Sequence, residues 1–437
     1  MKCASIEHVR FCAHAVNWCL EIPTPTRLRQ PTRPCWAEIR TRALEENYRF
    51  LAGLAAPHAE LLAIVKADAY GHSLALCAPA VVRAGARWLG VTSVEEGIAA
   101  RALCPAAQNE TQNETQILVI AGVFPGQGAA LIEHRLTPVV WELWQLDELE
   151  AAARAAGLGP GSLPIHLEID TGMSRQGASS DSLPSILARI SPASPFRLQA
   201  VMTHLFAADE ADGRVTGAQL SRLDETLSRI SSAGLFGEWL NVGNSAALLA
   251  GEAKAIADLA GRHGMKALLR PGLALYGHVP AFDPSFASPE FANLEPASLI
   301  ATRATLQPVL AWKSEVVSVR TVPAGAVVGY NGTFVATEPM RLALVAAGYG
   351  DGLTRSLGNR FSLLIRGERA PLVGRISMDQ AVLDVTEIAG VQPGDEVVIL
   401  GEQGSQAIGA FDHASAAGTI PWEIFTRIAP RVPRIAV

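Results

Sequence analysis

From residue 61 to residue 269 the chain repeats one pattern: a short apolar run bounded by polar or glycine residues, then an amphipathic stretch. The apolar runs fall at residues 61–65, 88–91, 117–120, 137–140, 165–169, 198–202, 239–242 and 267–269. The intervening helical stretches include 74–86, 95–103, 143–156, 182–190 and 218–233. Continuous rather than alternating apolar character marks strands buried on both faces, as in a parallel sheet. Eight such strands with intervening helices predict an α/β fold of the (β/α)8 barrel type, spanning residues 33–285.

A chain of 437 residues is too long for one ordinary domain. Residues 286–306, rich in Pro, Ala and Ser, read as a linker. The pattern then changes. Runs at 312–321, 341–345, 362–365, 380–385 and 396–400, separated by Pro-Gly turns, predict a C-terminal all-β domain over 307–437. Residues 1–32 lack the unbroken apolar core of a secretory signal and read as a flexible N-terminal extension.

Several function classes are excluded early. A formal charge of −6, with no Lys/Arg run, argues against nucleic acid as a partner. No stretch approaches the length that spans a bilayer, so a cytoplasmic protein is expected. The six cysteines, Cys3, Cys12, Cys19, Cys35, Cys77 and Cys104, form no CxxC pair and match no common metal-site spacing. We expect free thiols and no metal. The tandem repeat Gln108-Asn109-Glu110-Thr111, Gln112-Asn113-Glu114-Thr115 reads as an exposed loop insertion.

Polar groups cluster just past the C-terminal ends of the strands, where barrels of this type place their chemistry. Lys66 and Tyr70 follow the first strand, and Arg175 the fifth. Thr203-His204 closes the sixth, Asn244-Ser245 follows the seventh, and Arg270-Pro271-Gly272-Leu273 follows the eighth. A lone strand-end lysine often only snorkels to water; a half-desolvated one can lose its proton and attack an aldehyde. Loops after strands seven and eight commonly bind phosphate, so Ser245 and the Gly272 backbone are candidate phosphate donors. A lysine, a phosphate cradle, and neither GxGxxG nor a Walker loop point to pyridoxal 5'-phosphate.

The chain resembles the alanine racemase family of barrel-type pyridoxal phosphate enzymes. The resemblance rests on Ala63-Ile64-Val65-Lys66-Ala67-Asp68-Ala69-Tyr70-Gly71-His72, Asp170-Thr171-Gly172-Met173-Ser174-Arg175, Thr203-His204, Asn244-Ser245-Ala246-Ala247 and Arg270-Pro271-Gly272-Leu273. In the second domain it rests on Gly329-Tyr330, Gly348-Tyr349-Gly350-Asp351-Gly352 and Ser377-Met378-Asp379. It covers both domains, in order.

The resemblance implies interconversion of L- and D-alanine, serving D-alanine supply for peptidoglycan or its breakdown. It implies that Lys66 carries the cofactor and acts as one of two acid/base groups, with Tyr330 as the other on the opposite face of the substrate Cα. Two different bases suit racemisation, since one removes a proton while the other delivers one to the second face. It further implies that His204 stacks on the cofactor ring and Arg270 meets the pyridine nitrogen. Tyr70, Asn244, Ser245, Gly272, Leu273 and Trp422 would surround the cofactor, and Arg175, Met378 and Tyr349 the substrate. Tyr330 would come from the partner subunit of a homodimer.

Two positions depart from the family pattern. Where many members carry a carbamylated lysine, this chain has Glu168, which predicts no carbamylation and a charge-assisted pair with Arg175. Where the family usually has a tyrosine near the C-terminus, it has Trp422, which donates through its indole N–H but cannot accept. The alternatives weighed are a broader-specificity or serine racemase, an amino-acid decarboxylase of the same architecture, and a non-catalytic cofactor-binding protein.

Overall fold

The computed structural model describes residues 33–104, 114–210, 213–280 and 305–437. The expected N-terminal extension, most of the linker and most of the tandem repeat lie outside these residues, as do Cys3, Cys12 and Cys19. The three described cysteines, Cys35, Cys77 and Cys104, are free and buried.

The chain enters through strand β1 (Cys35–Ile39) and a helix at Thr41–Ala55. The barrel then forms from β2 (Ala59–Ile64), β3 (Trp88–Val91), β4 (Gln116–Val119), β5 (Thr137–Val140), β6 (Leu163–Glu168), β7 (Phe196–Met202), β8 (Trp239–Asn241) and β9 (Lys266–Leu269). Each strand is parallel to the next, and β9 closes on β2 through Ala59↔Ala267 to Leu61↔Leu269. Every one of the eight coincides with an apolar run of the sequence. The runs are continuous because strands such as β3 and β5 are buried along their whole length. Gly90 within β3 has a packing reason: a Cβ there would meet Leu62 Cδ2 at 2.5 Å and Ile64 Cδ1 at 2.6 Å.

The second domain is a nine-stranded sheet with a two-stranded ribbon. Its spine is β10 (Leu310–Val322), and it continues through β11 (Val327–Val328), β12 (Phe334–Val335), β13 (Met340–Val345), β14 (Ser362–Ile365), β15 (Glu368–Pro371), β16 (Ala381–Asp384), β17 (Glu396–Gln403), β18 (Gln406–Ile408) and β19 (Arg434–Ala436). The sequence boundary at residue 33 is corrected here. Strand β1 belongs to this sheet, antiparallel to β10 from Cys35↔Ser314 to Ile39↔Leu310, and parallel to β19. Its alternating burial fits a half-buried sheet strand rather than a barrel strand. The chain therefore starts in the second domain, builds the barrel, and returns.

Two short helices, Ala410–Ala417 and Pro421–Thr426, interrupt the β domain before β19. Their signals are readable afterwards: Gly418 ends the first in the left-handed region, and Pro421 opens the second. The second helix presses on the segment after β2, since a Cβ on Gly71 would strike the Phe425 carbonyl. The β domain thus buttresses the rim of its own barrel. Among the described residues no helix is long and apolar enough to cross a membrane.

Candidate active site

A cavity of about 660 Å³ opens at the C-terminal end of the barrel. Its walls bring together Lys66, Tyr70, Arg175, His204, Asn244, Ser245, Arg270, Gly272, Leu273 and Trp422. All ten were singled out from the sequence.

Lys66 sits on an unusual piece of backbone. The four residues after it, Ala67, Asp68, Ala69 and Tyr70, all have positive φ, between 52° and 56°. Each non-glycine residue in this left-handed region costs roughly 1–2 kcal/mol, so the turn must be held from outside. Glu96 holds it by accepting the Ala67 N–H at 2.7 Å and the Thr92 N–H at 2.8 Å. Asp68 Oδ1 accepts the Leu74 N–H at 2.6 Å, and Arg434 Nε donates to the Gly71 carbonyl at 3.0 Å. Sequence reading placed Lys66 at a strand end but missed this left-handed turn, for which no residue type gives a signal.

Burial pushes the Lys66 amine below its ordinary value, and the Arg175 and Arg270 cations push it further the same way, with Glu96 opposing. Lys66 makes no ion pair among the described residues.

Arg270 is almost fully buried, with only neutral acceptors. Its Nη1 donates to the backbone and side-chain oxygens of Asn241, each at 2.6 Å. Its Nη2 donates to the Thr203 carbonyl at 2.8 Å and to His204 Nδ1 at 3.1 Å. Burial lowers its pKa to about 10, which leaves it charged at neutral pH. Because His204 Nδ1 accepts from a guanidinium, its lone pair is there and the ring is neutral. Burial, then Arg270, Arg175 and Lys66, lower its pKa to about 3.

The other end of the cavity is a set of polar atoms. The N–H groups of Gly272 and Ala274 converge on Ser245 Oγ at 2.9 and 3.2 Å. A Cβ at Gly272 would run into the Tyr70 hydroxyl, so any side chain there would displace that hydroxyl. Backbone donors, a serine and a tyrosine hydroxyl therefore crowd one spot, which suits a phosphate. With Lys66 free to take an aldehyde and Arg270 aimed inward, the residues fit pyridoxal phosphate.

The Glu168 expectation is corrected. Glu168 is buried, but it makes no ion pair with Arg175; its Oε2 accepts instead from Gln176 Nε2 at 2.5 Å. The loop explains this. Asp170 Oδ1 accepts the N–H groups of Gly172 and Ser174, turning the chain so that Arg175 lines the cavity while Gln176 folds back to the carboxylate. Burial raises the Glu168 pKa, opposed by the Gln176 hydrogen bond and the Arg270 and Arg175 cations.

Tyr330, Tyr349 and Met378 are not among the residues lining this cavity. All three lie exposed on the second domain, Tyr330 at 68%. Gly329 (φ 73°) backs onto the Arg375 main chain, just before Met378. Tyr349 and Met378 share a loop pair, with Tyr349 N–H on the Ser377 carbonyl and Gly350 N–H on the Met378 carbonyl. The loops are locked by Asp351, which is fully buried and takes Arg33 at 2.5 Å, Arg431 at 2.8 Å and the Gly348 N–H.

Sequence reasoning missed Asp351 as an anchor. It also missed Gln219, a buried residue on the helix Arg214–Ser232 that donates to Thr171 Oγ1 and to the His204 carbonyl. A buried glutamine on an amphipathic helix carries no local signal of such a role.

Comparison with known proteins agrees across both domains. Residues 39–280 match the model of the alanine racemase N-terminal domain, and residues 309–436 that of the C-terminal domain. The chain is 36% identical over 411 residues to the alanine racemase of Sorangium cellulosum, covering 92% of this chain and 98% of that one. It is 33% identical over 403 residues to that of Halothermothrix orenii, covering 92% and 97%. Among solved structures, the alanine racemase of Streptomyces coelicolor A3(2) superposes with a TM-score of 0.79 at 33% identity, covering 92% of this chain and 98% of that one. The Bartonella henselae alanine racemase with covalently bound pyridoxal phosphate superposes with a TM-score of 0.75 at 26% identity, covering 92% and 99%.

Proposed function

The chain belongs to the alanine racemase family, pyridoxal phosphate-dependent isomerases, and from that premise we propose that Lys66 and Tyr330 are its two opposed bases. The reaction is the interconversion of L- and D-alanine. The observation that carries the residue assignment is the convergence of Lys66, Arg270 and the Ser245–Gly272 donors in one cavity.

Lys66 would hold pyridoxal phosphate through its Nζ, and the Gly272 and Ala274 N–H groups with Ser245 and Tyr70 would take the phosphate. When bound, the cofactor withdraws electrons from the substrate Cα–H bond and so makes it acidic. The lowered basicity of Lys66 leaves its amine able to accept a proton at Cα on one face. Tyr330 hands over or takes the proton on the other. Arg270 supplies positive charge without a readily transferred proton, so it would donate a hydrogen bond to the ring nitrogen and not protonate it. A cofactor held this way would be a weaker electron sink, which would favour return of the proton to Cα over transamination. Arg175 would pair with the substrate carboxylate, helped by the Met378 N–H, and Trp422 would narrow the space around the substrate.

The exposure of Tyr330 on the single chain, outside the cavity lining, supports a composite site in a homodimer, each subunit lending its tyrosine to the other's barrel. We place the enzyme in the cytoplasm, where it supplies D-alanine for peptidoglycan or degrades it. The second reading is a racemase that also takes serine, and it turns on Trp422, which stands in the cavity wall where the family usually has a tyrosine. Incubating the purified enzyme with L-alanine, and separately L-serine, and measuring the D-isomer tests the assignment. D-alanine formation that is lost in Tyr330→Phe is the expected result. Carbon dioxide release, or D-alanine formation unaffected by Tyr330→Phe, would overturn it.

A further inference from the structure

Behind Arg270 lies a line of buried polar side chains, packed against Trp88 and Met202. Asn241 on β8 and His166 on β6 are fully buried, and Gln199 on β7 nearly so. Their donor and acceptor roles follow from Arg270. A guanidinium only donates, so the Asn241 atom 2.6 Å from Arg270 Nη1 must be its oxygen. The Asn241 amide nitrogen is then the atom facing His166 Nδ1 at 3.2 Å. That nitrogen donates, so His166 Nδ1 must present a lone pair. The proton of the neutral imidazole is left on Nε2.

Two buried atoms nearby have no close partner: His166 Nε2 and Gln199 Oε1. One is a donor and the other an acceptor, and Gln199 lies beside His166 at the irregularity between β6 and β7, where Ile165 faces Leu198 and His166 faces Ala200. The two unpartnered atoms complement each other.

We propose that Asn241, His166 and Gln199 form a positioning relay that aligns Arg270, with His166 held as the Nε2–H tautomer. Every member is neutral, so the relay orients the guanidinium without cancelling its charge. A carboxylate in the Asn241 position would bind Arg270 more strongly but would quench the field that the arginine carries into the cavity. The relay rests on the reading of Arg270 as the group against the cofactor ring, and it makes the three residues positioning residues rather than catalytic ones.

The test is the 15N spectrum of the holoenzyme labelled in histidine, with the His166 signals assigned by their loss in His166→Asn. The relay predicts an unprotonated Nδ1 and a protonated Nε2; a protonated Nδ1 overturns it. Two variants add a functional readout. His166→Leu removes the acceptor that Asn241 needs and should lower kcat about tenfold or more with KM for alanine little changed. The same variant should shift the visible absorption band of the bound cofactor. His166→Asn keeps an acceptor near the Nδ1 position and should recover most of both. Equal loss in the two variants would reduce His166 to packing and overturn the relay. The Nε2–H tautomer together with an unmoved absorption band in His166→Leu would instead refute the place of Arg270 against the cofactor, leaving the relay's geometry standing.

Discussion

Arg434 donates from Nε to the Gly71 carbonyl at 3.0 Å, tying the last strand of the chain to the left-handed turn behind Lys66. Its remaining N–H groups bind the carbonyls of Ala429, Val432 and Ile428 at 2.6–2.7 Å. The β domain therefore steadies the turn that carries Lys66 of its own subunit as well as presenting Tyr330.

Truncating this arginine strands several part-buried carbonyls at once. Arg434→Ala should destabilise the protein by about 2–4 kcal/mol, and lower the fraction of chains that retain cofactor. Arg434→Lys should recover little, because an ammonium cannot fork across four carbonyls. Urea midpoints and cofactor absorbance per chain measure both. Full cofactor retention in Arg434→Ala would disprove the link between this strand and Lys66.

The buried Glu168 gives a pH prediction. Its pKa is raised in the folded protein from 4.5, mainly by burial. Between the unfolded value and the higher folded one, the folded state binds more protons, so stability falls as pH rises through that window. Glu168→Gln keeps an oxygen for the Gln176 amide and should flatten this fall, leaving the protein at least as stable at neutral pH. Thermal melts from pH 4 to 8 check the sign. Since a carboxylate stands where a carbamate would, activity should also be indifferent to removal of bicarbonate; a carbamate found beside Arg175 by mass spectrometry would refute this.

Trp422 lines the cavity wall, and the proposed reading makes it a limit on substrate size. Trp422→Tyr frees space beside the substrate and restores a hydroxyl, so the ratio of serine to alanine turnover (kcat/KM) should rise by about tenfold. An unchanged ratio would remove Trp422 as a specificity determinant.

Much of this was legible in the sequence, for identifiable reasons. A parallel barrel strand is buried on both faces, so its apolar run is continuous and hard to miss. The cavity residues other than Trp422 stood out because each follows such a run. What escaped was whatever depends on distant partners. Strand β1 pairs with residues far along the chain, and its five residues alone do not say which sheet they join. The left-handed turn is imposed by Glu96 and Arg434 from outside. Glu168 was given Arg175 as its partner by charge, but the Asp170 turn delivers Gln176 instead. The polar line behind Arg270 has no local signature, because His166 and Asn241 sit within strands that otherwise read as core.

The central claim is that Lys66 of one subunit works with Tyr330 of the other. Lys66→Ala and Tyr330→Phe, each inactive alone, can be mixed under conditions that allow subunits to exchange. If the site is shared, each mixed dimer carries one intact site, formed by the wild-type Lys66 of one chain and the wild-type Tyr330 of the other. Random exchange makes half the dimers mixed, so about a quarter of wild-type activity should return. If both bases came from the same chain, every site in the mixture would lack one of them, and activity that stays at zero after proven exchange would contradict the account.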